Sequence, residues 1–271
     1  MDTAFTPLPG ADRIRAGVGG WTFEPWRDNF YPKGLPQAQE LHYASRHLSA
    51  IEVNGTFYST FQPATFAKWR DATPDSFVFA LKAHRFTTHR RQLATAADGI
   101  ARFIGSGLAE LGDKLGPIVW QLMPTMAFEP EDLAAFLRLL PRELQGRPLR
   151  HVLDVRHPSF ACEEYLALLA RHGVTTVYTD SDKFPAIAHA HSPLAYLRLM
   201  RSAADCATGY PPAQLARWAQ GAREWVALGE ANEAFVFFIN GAKERAPAAA
   251  QAFLGQLGWR PAESADAGGV G

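Results

Sequence analysis

The chain has 271 residues, 47% of them hydrophobic, enough for one large α/β domain or two small ones. Its 27 lysines plus arginines balance 27 aspartates plus glutamates, so no net field draws it toward nucleic acid or a membrane surface, although a local basic patch stays open. Cys162 and Cys206 form no CxxC pair, which argues against a disulfide framework or a cysteine zinc site. The first dozen residues show neither a basic nor an apolar signal region, and no run approaches the ~20 apolar residues of a transmembrane helix, so a cytoplasmic protein with no membrane partner is expected.

Along the chain, short β-branched or aromatic runs alternate with stretches of helical period, the pattern of parallel strands joined by crossover helices. Predicted strands begin at Ile14 (IRAGV), Ala50 (AIEVN), Phe77 (FVFALK) and Pro117 (PIVWQL). Four more begin at Arg150 (RHVLDV), Thr175 (TTVYTD), Leu194 (LAYLRL) and Ala234 (AFVFFIN). Between the third and fourth, Ile100, Phe103, Ile104, Leu108 and Leu111 make one apolar helical stripe. After the fourth, Glu129-Pro130-Glu131-Asp132 opens a helix with Leu133, Phe136, Leu137 and Leu140 on one face; before the eighth, Leu215, Trp218, Ala219 and Ala222 make a third stripe. All three read as packing. The segment from Ser181 to Pro193 contains Pro185 and leaves room for a turn or two of helix at most. The expected fold is therefore an α/β (β/α)8 TIM-type barrel, irregular around the sixth helix, with a doubly wound open sheet as the competing arrangement. It spans residues 14–258 as a single domain, between a flexible N-terminus (1–13) and a flexible C-terminal tail (259–271).

Chemistry in such a barrel sits at the carboxyl ends of the strands. Strand one is followed by Gly19-Gly20-Trp21, strand two offers Glu52 and Asn54 with Tyr58 beyond, and strand three ends at Lys82 before His84-Arg85. Gln121, then Asp154 with Arg156 and His157, then Asp180, Arg198 and Asn240 complete the ring. Because side chains alternate along a strand, Ile51 and Val53 in a core leave Glu52 and Asn54 on the opposite face. Glu52, Lys82, Asp154 and Arg198 then converge in the upper barrel.

Two readings of that convergence stand side by side. It could be a structural salt-bridge layer, since buried ion pairs need no function. Alternatively Glu52 or Asp154 serves as a general base, while Lys82 acts as an acid, an electrostatic stabiliser or, if neutral, a Schiff-base nucleophile. Arg156 and Arg198 suit a clamp on a carboxylate or phosphate. Trp21, Asn54, Tyr58, Gln121, His157 and Asn240 are candidate substrate contacts. His84, His89, His157, His189 and His191, with Glu52 and Asp154, could hold a divalent metal, but no HExxH or comparable spacing supports one. No GxGxxG, Walker or GxSxG sequence occurs.

The segments GVGGWTFEPWRDNFYP, YASRHLSAIEVNGTFYSTFQPATFAKWRDATPDSFVFALKAHRFTTHRRQL, LGPIVWQLMP and LDVRHPSF resemble the YecE-like family, domain of unknown function 72, from about Ile14 to about Leu257. The resemblance implies a (β/α)8-type barrel and supplies no activity. It puts Gly20-Trp21, Glu52, Asn54, Thr56-Phe57-Tyr58, Lys82, His89, Gln121, Arg156-His157 and Arg198 on the family's recurring positions. Barrels of this kind are similar to sugar isomerases and to the endonuclease IV type of repair enzyme, a fold-level analogy. The chain departs in having Asp154 for glutamate, Met200-Arg201 for a His-Gly pair and Asn240-Gly241 for an asparagine pair. A mechanism needing the histidine would fail at Met200.

Three function classes follow. The first is an enzyme acting on a small anionic or phosphorylated, sugar-like compound, with Glu52 and Lys82 as acid and base and Arg156 and Arg198 as clamp. The second is a metal-dependent phosphodiester- or nucleic-acid-processing protein, resting on the basic run from His84 to Arg91 and disfavoured by the zero net charge. The third is a non-catalytic binding protein.

Overall fold

The computed structural model describes residues 10–188 and 192–259. Strands β1 (Ile14–Gly19), β2 (Ala50–Val53), β3 (Val78–Lys82), β4 (Leu115–Gln121) and β5 (His151–Asp154) run parallel in sequence order. Two short pieces, β6 (Thr175–Thr176) and β7 (Tyr178–Thr179), precede β8 (Leu194–Leu199) and β9 (Glu233–Phe238). Thr175 and Thr176 pair with β5, while Tyr178 and Thr179 pair with β8. One strand, kinked at Val177, thus joins the two ends of the sheet; β9 pairs with both β8 and β1. The barrel is a nearly closed parallel sheet of nine strand pieces in eight positions.

Helices α1 (Glu40–His47), α2 (Pro63–Asp71), α3 (Ala97–Ile104), α4 (Pro130–Leu139), α5 (Glu163–His172), α6 (Pro212–Ala227) and α7 (Ala246–Gln256) cover the outside. Between β7 and β8 no helix forms among the described residues, as the proline and short spacing predict. The stripe from Ile100 to Leu111 is not one helix: α3 stops at Ile104 and a 3-10 segment, Leu108–Lys114, continues it. Gly107, at φ +115°, makes the break. A β-carbon there would lie 2.6 Å from the Cα of Pro63 at the start of α2, so the close approach of these elements requires glycine.

Gly10–Arg13, assigned from sequence to the stretch before the barrel, forms a 3-10 turn with Ala11 in the core. Arg13 donates to the carbonyls of Gly229, Glu230 and Asn232 at 2.6, 3.1 and 3.0 Å. Trp259, placed from sequence in the tail, packs against the core. No helix of the described residues is long and apolar enough to cross a membrane.

Alternation sorts the side chains into two cores. Outward-facing Ile51, Val53, Phe79, Leu81, Ile118 and Trp120 pack under the helices. Inward-facing Ala50, Ala80, Val119, Val152 and Val177 meet Tyr196, Phe235 and Phe237 inside the barrel. Small residues on β2 and β3 leave the volume that the aromatics of β8 and β9 fill. One step further up the same faces stand Glu52, Lys82, Gln121, Asp154 and Arg198.

Candidate active site

Strand register brings the polar residues level. Glu52 lies beside Ala80, Gln121 beside Asp154, and Arg198 beside Thr179. Arg198, 2% exposed, is the hub of the layer. Its Nη2 donates to Glu52 Oε1 at 3.0 Å and its Nη1 to Asp154 Oδ2 at 2.6 Å. The Tyr196 hydroxyl, one inward step below Arg198 on β8, donates to the other Glu52 oxygen at 2.8 Å. Burial and then the Glu52 carboxylate push the Tyr196 pKa far up, so the hydroxyl keeps its proton. Burial alone would lower the Arg198 pKa; Glu52 and Asp154 more than offset it and raise it.

Arg156 extends the network outward. Its Nη2 donates to Gln121 Oε1 at 2.7 Å and Asp154 Oδ2 at 3.1 Å, and its guanidinium lies 4.5 Å from the ring centroid of Phe184. Its Nε, like that of Arg198, is buried without a hydrogen-bond partner among the described residues.

Lys82 is different. It is 5% exposed, and its Nζ lies 4.0 Å from the ring centroid of Phe57, with no hydrogen-bond acceptor and no ion-paired carboxylate among the described residues. Burial, then Arg198, lower its pKa to about 8 against the opposing pull of Glu52 and Asp154. The Phe57 ring is held by the helical turn Gly55–Tyr58, where Thr56 Oγ1 hydrogen-bonds the Lys82 carbonyl at 2.7 Å and that of Val53 at 2.9 Å. His89 packs on the same ring, with centroids 5.1 Å apart. Desolvation and then Lys82, Arg85 and Arg156 depress its pKa, so His89 shares the field of these three cations.

Of the residues singled out from sequence, the structure brings together Glu52, Lys82, Gln121, Asp154, Arg156 and Arg198. It places others elsewhere. The backbone turns at Gly20, φ +75°, and swings Trp21 onto Trp69 and Phe79 of the outer core, with ring centroids 5.2 and 6.5 Å away. His157 Nδ1 bonds Ser159 Oγ at 2.7 Å and accepts the Ser159 amide, capping a 3-10 turn, and His84 similarly accepts from the Phe86 amide. Asp180 takes the Met200 amide at 2.5 Å and the Tyr210 hydroxyl at 3.0 Å, and burial raises its pKa. Asn240 is exposed at φ +67°, Tyr58 is 64% exposed, and Asn54 lies over Gly19. His189 and His191 lie outside the described residues. Among the described residues no three of His, Cys, Asp and Glu form a group that could hold a metal ion. The clamp of Arg156 and Arg198 needs correction, because the protein's own Glu52 and Asp154 occupy both arms of Arg198.

Sequence reading passed over Tyr196 and Phe184. Tyr196 was legible, since two residues before Arg198 on a strand is the same face. Phe184 was not, because nothing in the segment after β7 signals which side chain folds back over Arg156.

A nearly closed parallel barrel with a charged layer at the strand ends defines a TIM-barrel protein. The chain belongs to the DUF72 family: the model described as "Protein of unknown function DUF72" matches residues 15–268. It is similar to the UPF0759 protein YecE of Escherichia coli strain K12, 31% identical over 176 residues, which spans 62% of this chain and 59% of that protein. A match to the UPF0759 protein YunF of Bacillus subtilis strain 168 is 24% identical and covers 54% of this chain and 52% of YunF. Among solved structures, the DUF72 protein EF0366 of Enterococcus faecalis V583 superposes with TM-score 0.70 at 15% identity, over 91% of this chain and 96% of that one. The DUF72 protein TM1631 of Thermotoga maritima MSB8 gives 0.67 at 21% identity, over 90% and 99%. SacUVDE gives 0.54 at 10% identity, over 92% and 99%, and shares the barrel fold.

Proposed function

We propose that this barrel is an enzyme acting on a small anionic compound, bound at the strand ends between Lys82 and Arg156, with Lys82 as the proton-transferring group. The observation that carries this reading is the unequal pairing of the charged layer. Three cations, Lys82, Arg156 and Arg198, face two carboxylates, and Arg198 engages both of those. The surplus positive charge therefore resides at Lys82, which is the one without an acceptor among the described residues. A buried cation left so is costly unless a ligand or a pKa shift relieves it, and an anion supplies the missing partner.

In this reading Glu52 and Asp154 position Arg198 and set the field; Glu52, 0% exposed and bonded at both oxygens, does not touch the ligand. Lys82, with a pKa of about 8, exchanges a proton readily near neutral pH. The nucleic-acid reading loses support because Arg90 commits its guanidinium to the carbonyls of Phe86 and Thr95.

Thermal unfolding with inorganic phosphate, sugar phosphates and short carboxylates tests the reading. A saturable rise in Tm is expected in the wild type and is lost in Lys82→Met and Arg156→Gln. If no anion raises Tm, or if both variants respond as the wild type does, the site is not an anion site. A saturable ligand that is never turned over would instead favour a binding protein.

A further inference from the structure

We propose that Lys82 is a covalent nucleophile whose amine condenses with the aldehyde or ketone carbon of a small compound that also carries a carboxylate or phosphate, the anionic group being held by Arg156. This rests on the anion-binding reading above and adds the reacting group. Three aspects of placement carry it. Lys82 is 5% exposed and its Nζ has no acceptor among the described residues, whereas the other buried lysine, Lys114, donates to the Arg70 and Thr73 carbonyls at 2.7 and 2.6 Å. The carboxylates that would otherwise hold Lys82 as an ammonium are turned to Arg198 at 3.0 and 2.6 Å. The Phe57 ring beneath Nζ is tied through Thr56 to the Lys82 carbonyl, which fixes ring and amine relative to each other.

An amine in an apolar setting beside other cations is the arrangement that activates lysine as a nucleophile. The lowered Lys82 pKa makes the neutral form accessible near pH 8. Its lone pair forms the new C–N bond as the carbonyl π pair moves to oxygen, which takes a proton while nitrogen releases one. The carbinolamine then loses its hydroxyl with a second proton as water, leaving the C=N bond. No electrons are gained or lost, and the returning water reverses the step. The face of Phe57 that stabilises an ammonium serves the protonated imine equally.

The test is reductive trapping on the full chain at pH 8 with glyoxylate or glyceraldehyde 3-phosphate and sodium cyanoborohydride, read by intact mass and peptide mapping. The expected product is one adduct per chain at Lys82, with the mass of the probe less water plus two hydrogens. It forms about tenfold faster than at Lys33, Lys68, Lys114, Lys183 or Lys243, is slowed by inorganic phosphate, and is absent in Lys82→Arg and Lys82→Met. Labelling spread evenly over the lysines overturns the proposal. If Lys82 stays unmodified while phosphate still raises Tm, the nucleophile is refuted and the anion site stands; if phosphate has no effect either, both fall.

Discussion

Two lysines are buried in this molecule, one at each end of the barrel, and their surroundings differ. Lys114, 7% exposed at the start of β4, donates to the Arg70 and Thr73 carbonyls and has Asp75 at 3.8 Å. Lys82, 5% exposed at the end of β3, has the face of Phe57 and no acceptor among the described residues. The first is a satisfied structural ammonium. The second retains a desolvated charge beside two arginines, which folding alone does not call for. A buried cation is thus informative only once its partners are counted.

The largest effect should come from removing the hub that leaves Lys82 unpaired. Arg198→Met leaves the buried Glu52 with only the Tyr196 hydroxyl and Asp154 with only Arg156 among the described residues, and a loss of about 3–5 kcal/mol is expected in urea unfolding. A loss below about 1 kcal/mol would mean that Tyr196 and Arg156 suffice to hold the two carboxylates.

Lys82→Met has the opposite sign. A lysine whose folded pKa lies below its unfolded value binds fewer protons folded than unfolded between the two, so stability rises with pH across that window. For Lys82 the cost is full below about 8 and vanishes above about 10.5. Lys82→Met should therefore stabilise the protein at pH 7 by up to roughly 3 kcal/mol, and the gain should be gone by pH 11. A pH-independent difference would show that Lys82 does not titrate in this window.

Lys114→Met sharpens the contrast, because the same substitution removes the side-chain donor to the Thr73 carbonyl and one of the donors to the Arg70 carbonyl, and should cost about 1–3 kcal/mol. Equal signs for the two lysines would erase the distinction drawn between them. The smallest effect is a control away from both. Asn240→Gly relieves a left-handed backbone at φ +67° and should change stability by no more than about 0.5 kcal/mol, with anion binding unaltered.

The barrel was legible in the sequence because period-2 alternation and spacing carry it. Ile14, Ala50, Thr175 and Leu194 begin both the expected runs and the observed strands, and the irregular sixth helix follows from Pro185 and the shortness of its segment. The kink at Val177 was not legible, since TTVYTD reads as one uninterrupted strand and only the need to join β5 to β8 bends it. For the site, alternation placed Glu52, Lys82, Asp154 and Arg198 in one layer, but composition could not say who pairs with whom. That required distances, and they turned Arg198 from an expected ligand clamp into an internal strut. Trp21 and Asn240 escaped the alternation because the backbone turns through positive φ at Gly20 and at Asn240 itself. Histidines near strand ends were ambiguous for a further reason: an imidazole nitrogen caps a turn as readily as it binds a metal, and His84 and His157 do the former.

The central claim is that Lys82 is the readily neutralised cation of the strand-end layer, without a hydrogen-bond acceptor among the described residues. Its most direct measurement is an NMR pH titration of the protein labelled at lysine Cε, with the Lys82 resonance assigned by its loss in Lys82→Met. The account predicts a midpoint near 8. A midpoint near or above about 10.4, the value of an ordinary lysine, would contradict it.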